Sequence, residues 1–385
     1  MKSEYPRRRL LKIIAGGILS IMGGLFGAIN NLAKSNKTRK NMKINETSVL
    51  SKISLPETGP WPTEDPFLFC VHHNDNYPAA KDDLSPNVSL SGRHLGNDFS
   101  NKDGWSMYHG QKVPGFPRHP HRGFETLTVV SKGFIDHADS LGASARYGDG
   151  DAQWLTAGDG INHSEMFPLF SQNSNNKLDF FQIWLNLPSY NKRVEPNFEM
   201  YWEDEIPKIS NNLNGNKNVQ VEIITGDYLD YSSPIAPKNS WANNKKNDVA
   251  VWIIRLDSNG NFAIPNTKSG AKRNLYVSKG SNMEIDGQSI SGGSMVTLDS
   301  SKNTVIKNLG SKTKILMLQG VPINEPVVKY GPFVMNTRSE IEQAFHDYNR
   351  TEFGGWQWGK SDPVHGTQKE KFAKLISGKI IKPAK

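Results

Sequence analysis

From Trp61 onward the chain is cut into short apolar runs: Pro66 to Val71, Glu125 to Val130, Phe180 to Leu185 and Val249 to Ile254. Each is rich in β-branched or aromatic residues and bounded by Gly, Asn, Asp or Pro, the signature of strands between turns. Helical periodicity over a dozen residues is nearly absent. The exception is Arg338 to Tyr348, where Ile341, Phe345 and Tyr348 recur at helical spacing after the candidate cap Thr337. The class is therefore mostly β with a few short helices. So many short strands expose edges unless the sheets close, which argues for sandwiches or barrels. A chain of 385 residues has material for two such domains.

Composition narrows the chemistry. The single cysteine, Cys70, cannot form an intrachain disulfide or supply a cysteine-based metal site, so any metal must sit on histidines and carboxylates. The net charge of +8 is unevenly spread: residues 1–52 carry eleven basic and two acidic side chains, residues 360–385 seven and two, and the stretch between them is about −6. A basic stripe on the folded body, as nucleic-acid binding needs, is not expected.

The N-terminus reads as an address. Pro6-Arg7-Arg8-Arg9-Leu10-Leu11-Lys12, followed by an apolar, Gly-rich run from Ile13 to Ile29, resembles a twin-arginine export signal. The competing reading is a plain membrane anchor, since 17 residues sit at the short edge of a bilayer span. No clean Ala-x-Ala cleavage site follows, which leaves an uncleaved tether open. The expected layout is a signal or anchor over 1–29, a polar linker over 30–58, and a basic tail over 358–385 that is either a solvated extension or adheres to an anionic membrane face.

Histidine is concentrated in the first half, with eight before residue 164 and none again until His346. The strand-turn rhythm of Leu127 to Leu155 recurs at Leu275 to Leu298, which suggests two related barrels of which only the first, 59–195, keeps metal-binding side chains; the second covers 196–357. In the first, His119 and His121 share a strand face, and so do His163 and Glu165. Glycine-rich turns lead into both pairs. Three neutral imidazoles and a carboxylate suit Fe, Mn, Ni, Cu or Zn in the divalent state. By parity, Glu125 competes for the carboxylate position. His137 could line the pocket or hydrogen-bond locally, with the structural role preferred; Trp154, Phe116, Phe124 and Met166 are candidate pocket walls or core residues, and His72, His73, His94 and His109 are expected to be structural or superficial.

The strings Pro117-x-His119-Pro120-His121-Arg122-Gly123-Phe124-Glu125-Thr126, His137-x-Asp139-Ser140-Leu141-Gly142, Asp151-x-Gln153-Trp154-x-Thr156-Ala157-Gly158-x-Gly160-Ile161-x-His163-Ser164-Glu165, Gln182 to Pro188 and Tyr330 to Thr337 together resemble the pirin family of the cupin superfamily. The resemblance spans about residues 60–355. It implies a bicupin, two facing cupin barrels with iron or a similar metal in the first. It also assigns the ligand role to His119, His121, His163 and Glu165, with Glu125 then a supporting or interior residue. Several pirins resemble quercetin 2,3-dioxygenases, which implies ring opening of a flavonol or polyphenol by dioxygen, with Glu165 as general base. The alternatives are a non-catalytic, metal-bearing interaction or redox-sensing protein, or another metal-dependent isomerase or oxidoreductase. The expected partners are an aromatic small molecule, dioxygen and the twin-arginine export machinery, with the protein periplasmic or exported, free or membrane-anchored.

Overall fold

The computed structural model describes residues 47–210, 218–279 and 281–384. The signal or anchor and the first part of the linker lie outside the described residues. In chain order the strands of the first half are β1 (Val49–Ser54), β2 (Phe67–Tyr77), β3 (Gly115–His121), β4 (Phe124–Lys132), β5 (Phe134–Asp139), β6 (Ser144–Gly148), β7 (Ala152–Thr156), β8 (Ile161–Met166), β9 (Asn176–Asn186) and β10 (Asn197–Tyr201). Those of the second half are β11 (Lys208–Ile209), β12 (Val219–Thr225), β13 (Asp227–Tyr228), β14 (Tyr231–Ser232), β15 (Ala250–Leu256), β16 (Asn261–Ile264), β17 (Lys272–Val277), β18 (Asn282–Ile285), β19 (Gln288–Ser291), β20 (Ser294–Leu298), β21 (Thr304–Asn308) and β22 (Thr313–Gly320). A hairpin of β23 (Val328–Tyr330) and β24 (Phe333–Met335), the helix α1 (Arg338–Thr351), and β25 (Phe372–Lys374) with β26 (Ile380–Ile381) complete the chain.

The sheets form two barrels, as expected. The first is built from β10-β7-β4-β9-β2 and β26-β25-β6-β5-β8-β3, the second from β1-β20-β17-β22-β15-β12-β11 and β16-β21-β18-β19. The ends of the chain depart from the expected layout. Within the supposed linker, β1 pairs antiparallel with β20 and so joins the second barrel, while the supposed tail contributes β25, which pairs with β6 of the first. β1 is exposed at five of its six residues and β25 buries only Ala373, so backbone hydrogen bonds hold them with little help from apolar pattern. β10 also pairs with β7, so the first barrel runs on past residue 195 to Tyr201.

Strand alternation divides the core into three. Inward residues of the first barrel, such as Val130, Leu155 and Phe180, pack together, as do Leu275, Val296 and Met317 in the second. The opposite faces of the central strands meet: Leu127, Val129 and Trp154 of the first barrel pack with Val251, Ile253 and Leu318 of the second. The helix expected from Arg338 forms with Thr337 as its cap, in a capping box with Glu340, and its face of Ile341, Ala344 and Tyr348 covers Phe333 and Phe353.

Candidate metal centre

β3 and β8 pair antiparallel with His119 opposite His163, so alternation brings His119, His121 and His163 to one interior face. One ring nitrogen from each lies within 4.8 Å of the others. The His119 and His163 ring centroids are 4.4 Å apart, and those of His121 and His163 4.9 Å. Glu165, two residues along β8, places Oε2 3.8 Å from His163 Nε2.

Turns beside the ligands are locked. Arg122, directly after His121, donates from Nη1 to Asp347 of α1 at 2.8 Å and from Nε to the Asp159 carbonyl at 2.7 Å. Lys192 Nζ is buried and donates to the carbonyls of Gly123 and Val334, at 2.8 and 3.1 Å, and to Asn186 Oδ1. Gly123 sits at φ +85°, where an added Cβ would strike the Val334 carbonyl, so only glycine turns β3 into β4 here.

Electrostatics at the site favour unprotonated donors. Burial pushes the His119 imidazole down to about 4, and burial with neighbouring histidines holds His121 and His163 well below the usual range. His119 Nδ1 is bonded to the Pro117 carbonyl at 2.9 Å, which leaves its Nε2 as the donor. His121 Nδ1 and both ring nitrogens of His163 are buried without a hydrogen-bond partner among the described residues. Glu165, pushed up to about 7 by burial, has only long contacts, from Thr128 Oγ1 at 3.4 Å and Gln182 Nε2 at 3.5 Å. Orphaned buried donors and an underbonded carboxyl are costly unless something meets them together. The three histidine nitrogens fit a metal ion, and the Glu165 carboxyl stands beside them.

Glu125 is elsewhere. Parity counted from His121 fails because the Arg122-Gly123 turn separates the strands and restarts the alternation. On β4, Thr128 faces the site, while Glu125 points to the second barrel and accepts from Ser240 Oγ at 2.6 Å and Thr156 Oγ1 at 2.8 Å. His137 lies beside the cluster, its ring 5.6 Å from that of His163 and its Nε2 bonded to Asp139 Oδ2 at 3.0 Å. Of the wall candidates, Phe116 and Phe124 flank His119 and His121, at 6.3 and 5.0 Å between ring centroids. Trp154 packs between the barrels instead. Met166 follows Glu165 on β8 and takes the opposite face. Among the other histidines, His73 stacks on Phe180 at 4.4 Å and His72 bonds Asp179.

Sequence reading missed Thr128, Gln182, Trp184 and Phe69. Trp184 stands 5.4 Å from His121 and 4.7 Å from Phe69, between ring centroids. The signal available was alternation on β9, where Gln182 and Trp184 share a face, with register to β4 supplying the rest.

Residues 63–185 match the pirin family, and residues 251–354 the pirin C-terminal cupin domain. A relative from Vibrio cholerae, provisionally named a quercetin 2,3-dioxygenase, is 34% identical over 248 residues, 63% of this chain and 80% of its own length. Another so named, from Pseudomonas aeruginosa, is 31% identical with the same coverage. Pirin-1 of Arabidopsis thaliana is 33% identical over 62% of this chain and 78% of its own. In fold, the chain is similar to the crystal structure of quercetin 2,3-dioxygenase from Acinetobacter baumannii, with a TM-score of 0.63 and 24% identity over 80% of this chain and 99% of that one. With both cupin domains matched in order and the two barrels described, the chain belongs to the pirin family of bicupins.

Proposed function

We propose that the protein is a metal-dependent dioxygenase that opens the ring of a flavonol or related polyphenol, in the manner of a quercetin 2,3-dioxygenase. The observation that carries the reading is the convergence of three unprotonated imidazoles and the underbonded Glu165 carboxyl in one barrel interior. A divalent metal, iron first among Fe, Mn, Ni, Cu and Zn, would supply when bound a Lewis-acid centre where a phenolic oxygen and dioxygen meet. His119, His121, His163 and Glu165 are its proposed holders.

The remaining roles fall to side chains. Glu165, whose Oε2 lies 3.8 Å from His163 Nε2, takes the proton of the incoming hydroxyl. Thr128 Oγ1, which donates to Gln182 Oε1 at 3.0 Å, and Gln182 Nε2 stand beside its Oε1 only at long range. Half-buried Phe69, Phe116 and Trp184 receive the aromatic ring and exclude water. The names of the bacterial relatives agree with this substrate class.

The test is anaerobic mixing of the metal-loaded protein with quercetin, followed by oxygen. Loss of the flavonol band with equimolar oxygen uptake and carbon monoxide release, abolished in Glu165→Gln, is expected. Full metal occupancy without turnover would move the reading to a sensing or interaction role. On the sequence of residues 6–29 we further propose that the protein is exported by the twin-arginine route and works in the periplasm, free or tethered.

A further inference from the structure

One histidine outside the cluster has an idle nitrogen. His109 stands near the end of the long connection from β2 to β3, and its Nδ1 is bonded to the Gly96 carbonyl at 2.8 Å. A carbonyl only accepts, so Nδ1 carries the proton and Nε2 presents a lone pair. Nε2 takes no hydrogen bond among the described residues, and unlike the orphaned nitrogens of His121 and His163 it is not sealed from solvent. Burial of the rest of the ring lowers this imidazole, which keeps it neutral at neutral pH.

The ring is held from behind. Tyr108, the preceding residue, sits at φ +56°, a left-handed conformation that a tyrosine adopts only where its surroundings impose it. Its N–H and carbonyl exchange hydrogen bonds with those of Asp98 at 2.8 Å each, and its hydroxyl donates to the buried Asp75 at 2.8 Å. Asp98 in turn accepts from Arg93 Nη1 and from the Met107 N–H, at 3.0 Å each. The turn at Tyr108 therefore fixes the course of the chain through His109, whose own N–H donates to the Gly115 carbonyl at 3.0 Å, where β3 begins.

His109 stands on the rim of the histidine cluster. It lies 5.7 Å from Phe116, and Phe116 lies 6.3 Å from His119, between ring centroids; all three are half-buried. An aromatic rim thus runs from solvent to a proposed metal ligand, and a charge on His109 is felt at His119. A planar aromatic ligand held against Phe116 with one end at the cluster brings its other end to His109, where a hydroxyl meets an acceptor already fixed in place.

We propose that His109 Nε2 accepts a hydrogen bond from a phenolic hydroxyl at the end of the substrate remote from the metal, and so selects polyhydroxylated rings over bare ones. The inference rests on the reading of the substrate as a flavonol or related polyphenol, and adds the residue that reads its far end. His109 sets specificity and takes no part in ring opening.

The test is anaerobic binding to the metal-loaded full chain, read as quenching of tryptophan fluorescence, so that affinity is measured without turnover. Quercetin is compared with 3-hydroxyflavone, which keeps only the hydroxyl and carbonyl that the proposed reaction places at the metal. His109→Phe should weaken quercetin binding by about 10-fold, the order of one lost hydrogen bond, and leave 3-hydroxyflavone binding and metal content unchanged. His109→Gln, which offers an acceptor at similar reach, should recover most of the difference. Equal loss of both ligands in His109→Phe would mean a packing role only and would overturn the proposal, as would an unchanged preference. Binding with the expected preference but no oxygen-dependent loss of the flavonol would sustain the role of His109 and overturn the dioxygenase reading. Turnover with an unchanged preference in His109→Phe would do the reverse. Failure of the unmodified chain to bind either flavonol would overturn both.

Discussion

Ser240 Oγ donates to Glu125 Oε2 at 2.6 Å, across the interface between the two barrels. With Thr156 Oγ1 bonded to the other oxygen, Glu125 is committed to holding the halves together and faces away from the histidine cluster. Glu125→Gln should therefore keep full metal occupancy and cost about 1 kcal/mol of stability, the worth of a weakened hydrogen bond. Glu165→Gln should weaken metal binding by more than about 100-fold, beyond the loss seen for outer-shell changes. Metal titration and urea unfolding of both variants check the pair.

The same residue gives a pH signature. Burial pushes the Glu125 carboxyl up to about 7, although its bonds from Ser240 and Thr156 oppose the shift. In the unfolded chain it ionises near about 4.3, so between those values the folded state holds the extra proton. Its contribution to stability is full below the lower value and is lost as pH rises to the upper one. Urea midpoints from pH 4 to 8 should show a fall across that window that is shallower in Glu125→Gln.

Asp179 carries the opposite sign. Burial alone would raise its carboxyl, but the His72 hydrogen bond and the Lys314 ammonium outweigh that and hold it well below the usual carboxylate range. Lys314 Nζ, on a strand of the second barrel, lies 2.5 and 2.6 Å from its two oxygens. This contribution is present above the unfolded carboxylate pKa and is lost as pH falls toward the folded value. Asp179→Asn should destabilise by roughly 1–3 kcal/mol, less than a fully buried pair because both side chains keep some solvent contact. Acid unfolding of the variant should lose the steepest part of the transition.

The C-terminal strap braces the outer side of the ligand strands. Ser361 accepts from the backbone N–H of Arg118, Trp358 Nε1 donates to the Asp139 carbonyl, and His365 Nε2 is bonded to the His137 carbonyl, each at 2.7 Å. Arg146 pairs with Asp136 and reaches back to the Gly366 carbonyl. Ending the chain at Gly355 should lower the melting temperature by roughly 4 °C or more and weaken metal binding by about 10-fold, because β3 and β5 lose their backing. Differential scanning calorimetry and metal titration measure the two effects.

Much of this was legible in sequence because alternation within one strand is rigid. His119 with His121, and His163 with Glu165, share faces for that reason alone, and the Thr337 cap announced α1. Alternation does not survive a turn, which is why counting from His121 could not by itself exclude Glu125. β1 and β25 were hidden because their partners, β20 and β6, lie in the barrel at the other end of the chain, and no local pattern encodes such pairing.

The most direct test of the account is metal content of the full chain purified without added metal, measured beside His119→Ala and His163→Ala. The account predicts one divalent ion per chain in the unmodified protein and loss of it in both variants, with circular dichroism unchanged because the barrel core does not depend on these rings. Equal metal in all three proteins, or none in the unmodified chain even after reconstitution, would contradict it.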